Sequence, residues 1–339
     1  MNRHMLGAAA LMALFSLPAC TSLSEQDQAR LETFKINSKR YYEEDQFRRA
    51  EDACRKGLMI DSKDISLYQV LGFSLLRQGG GSQVSEAVAS FDRCIAIENE
   101  FDHRSRLGLG EAHFQMGLMW NNELDRIAAD ENLTREERQE KQDYSMASRD
   151  RSYELSEASL REVLDSPRGR GDVMACSTLS RLLTVLGRYD ESAEVLRSMV
   201  ATLSASINLR TEMLAGKGVQ EEQRKLFERT LKSLKGQRVE ALELLANVAA
   251  KSTRWEEVIS AFAQIEAVEA MQPADYYNRA RAYEALGARD AAITDYDTFV
   301  SKAAARGAAF GEQVSLAMRR KAILLEGGEL IRDPNLEGG

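Results

Sequence analysis

Apolar residues recur along most of the chain at the spacing of amphipathic helices, and the pattern is clearest between residues 273 and 302. Two apolar stripes are separated there by Gly287, a residue that commonly follows the last turn of a helix. The stripes consist of Tyr276, Ala280 and Tyr283, followed by Ala292, Tyr296 and Phe299. Positions three or four residues apart share one helical face, so this segment predicts two helices joined by a short turn.

The same unit recurs five more times, with large residues to fill the groove between its helices and small residues where the helices approach. The earlier copies begin near Phe34, Tyr68, Leu109, Cys176 and Leu242. These residues resemble the 34-residue tetratricopeptide repeat (TPR). The resemblance implies an all-α fold, a right-handed TPR superhelix of about six helix-turn-helix repeats over residues 31–306.

Two insertions, around residues 118–152 and 205–238, exceed what the repeat requires. Thr134 and Glu137 have the spacing of a capping box, which predicts a new helix inside the first insertion. We expect two extended helical hairpins, each overhanging the array by roughly 25 Å at ~1.5 Å per residue. One interrupts a turn within a repeat and the other a turn between repeats, so they should leave opposite edges. A capping helix is expected at 307–326, where Phe310, Val314, Ala317, Met318 and Leu325 share one helical face, and a flexible tail is expected at 327–339.

Residues 1–19 have the pattern of a cleaved leader: Arg3 precedes an apolar run from Leu6 to Leu17. That run is shorter than the ~20 residues that a membrane-spanning helix needs. Together with the sequence Leu17-Pro18-Ala19-Cys20, it resembles the signal of bacterial lipoproteins. The resemblance implies lipidation of Cys20, a lipidated N-terminus at 20–30 and, with Thr21 next, an outer-membrane location facing the periplasm. An ordinary secretory signal with a chance cysteine is the alternative.

Composition restricts the function further. The chain of 339 residues is 44% hydrophobic, 29% charged and 7% aromatic, with a net charge of −8. It lacks the basic excess that binding of nucleic acid phosphates requires. Only three histidines occur, His113 takes a core position, and no catalytic or phosphate-binding motif is found. We therefore predict no enzyme activity, no metal site and no cofactor, and expect the cysteines after Cys20 to be buried.

The TPR resemblance also implies which residues of each first helix face the concave groove where partners bind. Carried over copy by copy, these are Lys39, Gln69, Phe73, Glu111, Phe114, Ser177, Arg181, Asn247, Tyr277, Asn278, Arg281 and Glu284. In some family members Asn and Lys or Arg hold a C-terminal carboxylate, and Arg181, Asn247, Asn278 and Arg281 form the comparable set here. The neighbouring Glu240, Glu243 and Glu284 oppose a carboxylate, so a mixed solvated groove remains the other interpretation.

Together these features favour a membrane-anchored scaffold or adaptor that recruits a protein partner through the groove, the hairpins or both. One alternative is a structural envelope lipoprotein that forms homo-oligomers through the hairpins. Another is a pilotin-like factor for secretin or pilus assembly. A small catalytic or glycan-binding role is the remaining alternative.

Overall fold

The computed structural model describes residues 23–97, 101–216, 220–304 and 310–327. The predicted leader, Cys20 and the predicted tail after Gly327 lie outside these residues. Within these ranges all regular structure is helical: thirteen helices form six pairs and a final single helix. The all-α fold and its number of repeats are therefore confirmed.

The first helices of the six pairs are α1 (Glu25–Glu43), α3 (Ile65–Gln78), α5 (His103–Ala129), α7 (Val173–Val185), α9 (Glu221–Lys251) and α11 (Pro273–Ala285). Their partners are α2 (Phe47–Leu58), α4 (Gly81–Ile97), α6 (Arg135–Asp165), α8 (Tyr189–Ala215), α10 (Trp255–Glu266) and α12 (Arg289–Ala304). The single helix that follows is α13 (Gly311–Leu325). We call the first set the A helices and the second set the B helices.

Short polar side chains begin several of the A helices. The carboxylates of Asp64 and Asp172 each accept the backbone N–H three residues later, at 2.9 Å. These bonds satisfy donors that the first turn of a helix leaves unpaired. Gly187 and Gly287 lie in the turns after α7 and α11 with φ of 72°, a conformation that is strained for residues with a side chain.

Close contacts between glycines and large side chains hold neighbouring helices together. The fully buried Phe91 ring of α4 lies between Gly72 of α3 and Gly108 of α5. A Cβ atom would approach the ring to 2.6 Å at Gly72 and to 2.3 Å at Gly108. The Tyr153 ring covers Gly117 in the same way, with a Cβ distance of 2.2 Å. The alternation of small and large residues in the sequence is thus what sets the helix spacing.

The first insertion forms arm 1, residues 118–152, which extends α5 and α6 as one antiparallel hairpin. Gly117 lies against Tyr153, and the rings of Trp120 and Tyr144 meet farther out with centroids 5.6 Å apart. The capping box at Thr134 is present at the start of α6. Residues farther along α5 contact residues earlier in α6, so the two helices continue side by side and antiparallel into the arm.

The second insertion forms arm 2, residues 205–238, which extends α8 and α9. Arg210 of α8 stacks over the Phe227 ring of α9, with 5.5 Å between the guanidinium carbon and the ring centroid. No side chain is fully buried between residues 204 and 238 in the described part of this arm. It is therefore a two-helix projection without a core of its own.

The arms leave the array at opposite edges, as predicted. Consecutive helices are antiparallel, so the A helices end at one edge and the B helices end at the other. Arm 1 continues from the end of an A helix, α5, and arm 2 from the end of a B helix, α8. Because A helices begin where B helices end, arm 2 leaves from the same edge at which α1 begins.

Curvature places the A helices on the inner face. Successive A helices from α1 to α9 are close neighbours, whereas no two B helices come equally close among the described residues. Ion pairs between long side chains connect the B helices instead, joining α2 to α4, α6 to α8 and α8 to α10. These pairs are Arg55–Glu86 at 2.7 Å, Arg161–Glu191 at 3.1 Å and Arg197–Glu257 at 2.7 Å.

Helix α13 covers the last repeat, as the capping helix was expected to do. Three residues of the predicted face take part: Ala317 is buried, Val314 packs against the core of this repeat, and the Phe310 ring lies 6.1 Å from the Phe299 ring. The other two, Met318 and Leu325, are 57% and 59% exposed, and Leu324 is buried at the end of the helix. The last buried position is therefore one residue earlier than predicted, because the surface of α12 determines which side of α13 is covered.

Candidate functional site

Three consecutive A helices form a pocket of about 240 Å³ on the inner face. Helix α5 contributes Phe114 and Leu118. The other side chains come from α7 and α9: Ser180, Arg181, Thr184, Val185, Leu244, Asn247, Val248 and Lys251. Three of the groove residues predicted from the sequence, Phe114, Arg181 and Asn247, therefore lie around one cavity.

The apolar and cationic parts of this pocket are in direct contact. The Arg181 guanidinium carbon lies 5.2 Å from the centroid of the Phe114 ring. Phe114 itself is only 2% exposed, so it forms the floor while Arg181 remains exposed above it. Stacking on a ring restrains a long side chain without using its N–H donors. Those donors are therefore available to bind an anionic group in the groove.

Each A helix contributes a second residue four positions after the predicted one. Leu118 follows Phe114 on α5, Val185 follows Arg181 on α7, and Lys251 follows Asn247 on α9. Residues at i and i+4 lie on the same helical face, so this spacing is the signal by which the sequence could have indicated them. The pocket thus combines apolar walls with two cations and an amide.

Acidic side chains occupy the adjoining part of α9. Burial together with the neighbouring carboxylates of Asp275, Glu240 and Glu269 raises the pKa of Glu243. Glu243 lies one helical turn before Asn247, so the groove changes from acidic to basic along α9. Along α9, the acidic residues that were expected to oppose binding of a carboxylate therefore lie next to the basic end of the groove and not within it.

The other predicted groove residues on α1 to α7 do not line the pocket, and two of them are held by internal contacts. Phe73 is 6% exposed and packs its ring against Phe91 at 5.0 Å, so its assignment is corrected to the core. Gln69 donates to Ser105 Oγ at 3.0 Å and also bonds Asp102, which joins α3 to α5. Glu111 and Ser177 are half-buried, and Lys39 is exposed beside Glu43 on α1.

The predicted residues on α11 lie apart from the pocket. Asn278 is exposed and Arg281 is half-buried, and neither lines the cavity. Tyr277 packs its ring against Phe299 at 5.2 Å. The four-residue clamp expected by resemblance is therefore not assembled here; Arg181 and Asn247 are brought together with Lys251 in place of the α11 pair.

Glu284 forms an internal ion pair that the sequence did not indicate. It accepts a bond from Arg320 Nε of α13 at 2.9 Å and another from the Tyr296 hydroxyl at 2.6 Å. Its side chain is 7% exposed. Since Arg320 neutralises this carboxylate, Glu284 does not oppose an anion in the groove.

Other titratable side chains are buried between the helices, away from the pocket. His113 is 9% exposed, and burial lowers its pKa. Cys54, Cys94 and Cys176 are buried, as expected, and burial raises the pKa of Cys176 to about 11. Within the described ranges, no group of three or more His, Cys, Asp or Glu side chains could hold a metal ion. The helices of this part of the chain also include none that is long and apolar enough to cross a bilayer.

Comparison with known proteins supports the fold. No protein-family model and no curated protein matches the chain. Among solved structures, Pseudomonas aeruginosa pilF has a TM-score of 0.51 at 9% identity, over 81% of this chain and 92% of its own. A Parabacteroides merdae tetratricopeptide repeat protein covers 86% of this chain and 99% of its own, at 13% identity and a TM-score of 0.33. The TPR2AB domain of yeast Sti1, solved as a complex with pHSP90, covers 87% of this chain and 99% of its own, at 11% identity and a TM-score of 0.31.

The fold of the chain is TPR-like. The likeness to pilF extends over most of both chains, and the six helix pairs agree with the repeat pattern in the sequence. At 9% identity the likeness concerns the architecture alone.

Proposed function

We propose that this chain is a membrane-anchored adaptor that recruits a protein partner in the bacterial envelope through its inner groove. The observation that carries the proposal is the pocket of α5, α7 and α9, where Arg181, Asn247 and Lys251 surround an apolar cavity. Scaffold proteins of the TPR fold commonly bind extended peptides on this face. No catalytic step is proposed.

The chemistry of the pocket suggests what it binds. An apolar side chain fits between Phe114, Leu118 and Val185, and a neighbouring carboxylate can accept bonds from Arg181 and Lys251. A C-terminal apolar residue of a partner supplies both groups at once. The acidic stretch around Glu243 favours a basic residue next to that terminus. We therefore propose a partner segment that ends in an apolar residue and carries a basic residue upstream.

A peptide titration tests the groove. The probe is a fluorescent peptide that ends in Lys-Ala-Leu with a free carboxylate, compared with the same peptide as its C-terminal amide. Bonds between charged groups contribute about 1.5–3 kcal/mol, so the amide and the Arg181→Glu variant should each bind about 10- to 100-fold more weakly. Arg126→Glu is the matched control, because Arg126 is 80% exposed on arm 1 and does not line the pocket.

The envelope partner is then sought by photo-crosslinking from position 185, where Val185 is 49% exposed at the pocket wall. We expect one envelope protein to crosslink, and Arg181→Glu to abolish the adduct while Arg126→Glu does not. Equal affinities of the free-carboxylate peptide and its amide, together with a crosslinked adduct that still forms with Arg181→Glu, would contradict binding in this pocket. An adduct of the chain with itself alone would favour the structural envelope protein instead.

The anchor is a separate part of the proposal and has its own test. It is supported by the lipoprotein-like sequence around Cys20. A lipid attached there adds acyl chains, and two or more chains are enough for stable membrane attachment. We expect the wild-type protein to label with palmitate and to fractionate with outer membranes, and Cys20→Ala to lose both. Unlabelled wild-type protein in the soluble fraction would refute the anchor but not the groove.

A further inference from the structure

Arm 2 differs in charge from the rest of the chain. Residues 205–238 contain eight Lys and Arg and four Glu, a net charge of +4 within a protein of net charge −8. Arm 1, residues 118–152, has six basic and nine acidic residues, a net charge of −3. The two arms thus carry opposite charges, and arm 2 is the basic one.

Much of the positive charge on arm 2 faces solvent. Lys225, Arg229 and Lys232 follow each other at i, i+4 and i+7 on the side of α9 that faces away from α8, and all three are exposed. Lys225 pairs with Glu221 at 3.5 Å, whereas neither Arg229 nor Lys232 forms an ion pair with another described residue.

Three apolar side chains are exposed on the same arm. Leu209 is 55% exposed, Met213 is 42% exposed and Leu226 is 60% exposed. The stacking of Arg210 on Phe227 places Leu226 level with the segment between Leu209 and Met213. These three residues therefore lie at one height of the hairpin.

The three residues also lie on one face. Each directly precedes a half-buried residue that points into the hairpin: Leu209 precedes Arg210, Met213 precedes Leu214 and Leu226 precedes Phe227. They are therefore rotated by ~100° in the same sense from the inward stripe of their own helix. In an antiparallel pair both the chain direction and the inward direction reverse, so equal rotations end on the same face. The result is an apolar patch flanked by Lys225 and Arg229.

We propose that this patch, Leu209, Met213 and Leu226 with Lys225, Arg229 and Lys232, binds the surface of a membrane that contains anionic phospholipids. Apolar side chains beside exposed Lys and Arg are the combination by which helices lie on anionic interfaces. The location of arm 2 in the fold favours a lipid surface over an acidic protein as the partner. Arm 2 leaves the array at the edge where α1 begins, and α1 begins at Glu25, five residues after Cys20.

In this respect the inference rests on the proposed anchor at Cys20, which brings that edge to the membrane. Arm 2 then supplies a second contact several helices away from the first. Two contacts fix the orientation of the array, so that arm 1 points away from the bilayer. A single flexible anchor does not restrict orientation in this way.

Vesicle co-sedimentation tests the lipid contact without the anchor. The protein is the unacylated chain from Thr21 to Gly339, which retains every described residue, and the probes are vesicles with phosphatidylglycerol and vesicles of phosphatidylcholine alone. We expect binding to the former, weakened by added salt. The variant Lys225→Glu, Arg229→Glu, Lys232→Glu should lower the partition coefficient by on the order of 100-fold, since each basic residue near such a surface contributes about fivefold.

Two further variants complete the test. Leu209→Ser, Met213→Ser, Leu226→Ser should also reduce binding, because the apolar contact is lost. Arg126→Glu, Arg135→Glu, Lys141→Glu on arm 1 is the matched control and should leave the partition coefficient within twofold. All substituted basic side chains on the two arms point to solvent, and unchanged helical circular dichroism verifies the fold of each variant.

Absence of wild-type binding to phosphatidylglycerol vesicles would overturn the inference, as would equal losses from the two charge-reversed arms. Binding to poly-glutamate without binding to vesicles would overturn it in favour of an acidic protein partner. Self-association that depends on arm 2, again without vesicle binding, would replace it with an interface between copies. Because the protein carries no acyl chain, none of these results bears on the anchor or on the groove.

Discussion

Replacing Gly108 by Ala tests whether close glycine contacts determine the spacing of the helices. The added Cβ would lie 2.3 Å from two carbons of the Phe91 ring, whereas ordinary contacts are 3.4–4 Å. The ring cannot move away freely, because Gly72 and Phe73 lie on its other sides. Overpacking of this kind costs about 1–3 kcal/mol. Alanine recovers up to about 1 kcal/mol of helix propensity, so we expect a net loss of up to about 2 kcal/mol.

The same substitution at Gly236 is the matched control. Gly236 also lies inside a helix, α9, and nothing approaches its Cβ position within 4 Å. Gly236→Ala should therefore stabilise the protein by about 0.5–1 kcal/mol. Urea unfolding followed by circular dichroism at the helical band compares the midpoints of the two variants with that of the wild type, and we expect shifts of opposite sign.

A double-mutant cycle identifies the cause. Phe91→Leu shortens the ring that the new methyl group meets, so it should cost less in the Gly108→Ala background than in the wild type. Additive effects of the two substitutions would refute the steric explanation. So would stabilisation by Gly108→Ala equal to that by Gly236→Ala, since propensity alone would then account for both.

Two further predictions concern buried titratable groups. Burial lowers the pKa of His113, so the unfolded chain binds a proton at this side chain before the folded protein does as the pH falls below about 6.5. The stability of the wild type should therefore decrease more steeply in this range than that of His113→Gln. An equal decrease of the two urea midpoints between pH 7.5 and pH 5 would contradict this. Arg320→Met leaves the Glu284 carboxylate buried without its cation, a change that costs about 3–5 kcal/mol when such a pair is fully buried. Amides of α13 should then exchange hydrogen much faster, whereas Arg319→Met, at an exposed position, should leave their exchange unchanged.

Most of the architecture followed from local patterns. The spacing of apolar residues predicted the helix pairs, and Thr134 with Glu137 predicted the start of α6 within the first insertion. Small residues such as Gly117 indicated where helices approach. These features depend on residues within one or two helical turns, and the repetition of the unit strengthens each assignment. The sequence therefore carries them without knowledge of distant contacts.

The candidate groove was predicted only in part. Positions carried over from the repeat identified Phe114, Arg181 and Asn247, which the pocket brings together. The same transfer also selected Phe73, which is in the core, because the exposure of a groove position depends on how closely the adjacent A helix packs. Lys251 was missed, although its i+4 relation to Asn247 was visible in the sequence.

What the sequence by itself determined is the set of helices, their pairing and the two insertions, since each depends on short-range periodicity and turn residues. Only the tertiary structure decided that Leu324 and not Leu325 is covered at the end of α13, and that Arg320 neutralises Glu284 from 36 positions away. It also placed Leu209, Met213 and Leu226 on one face of arm 2. The physical reason is the same in each case: these contacts depend on the distance and rotation between helices, which the packing of the whole array fixes.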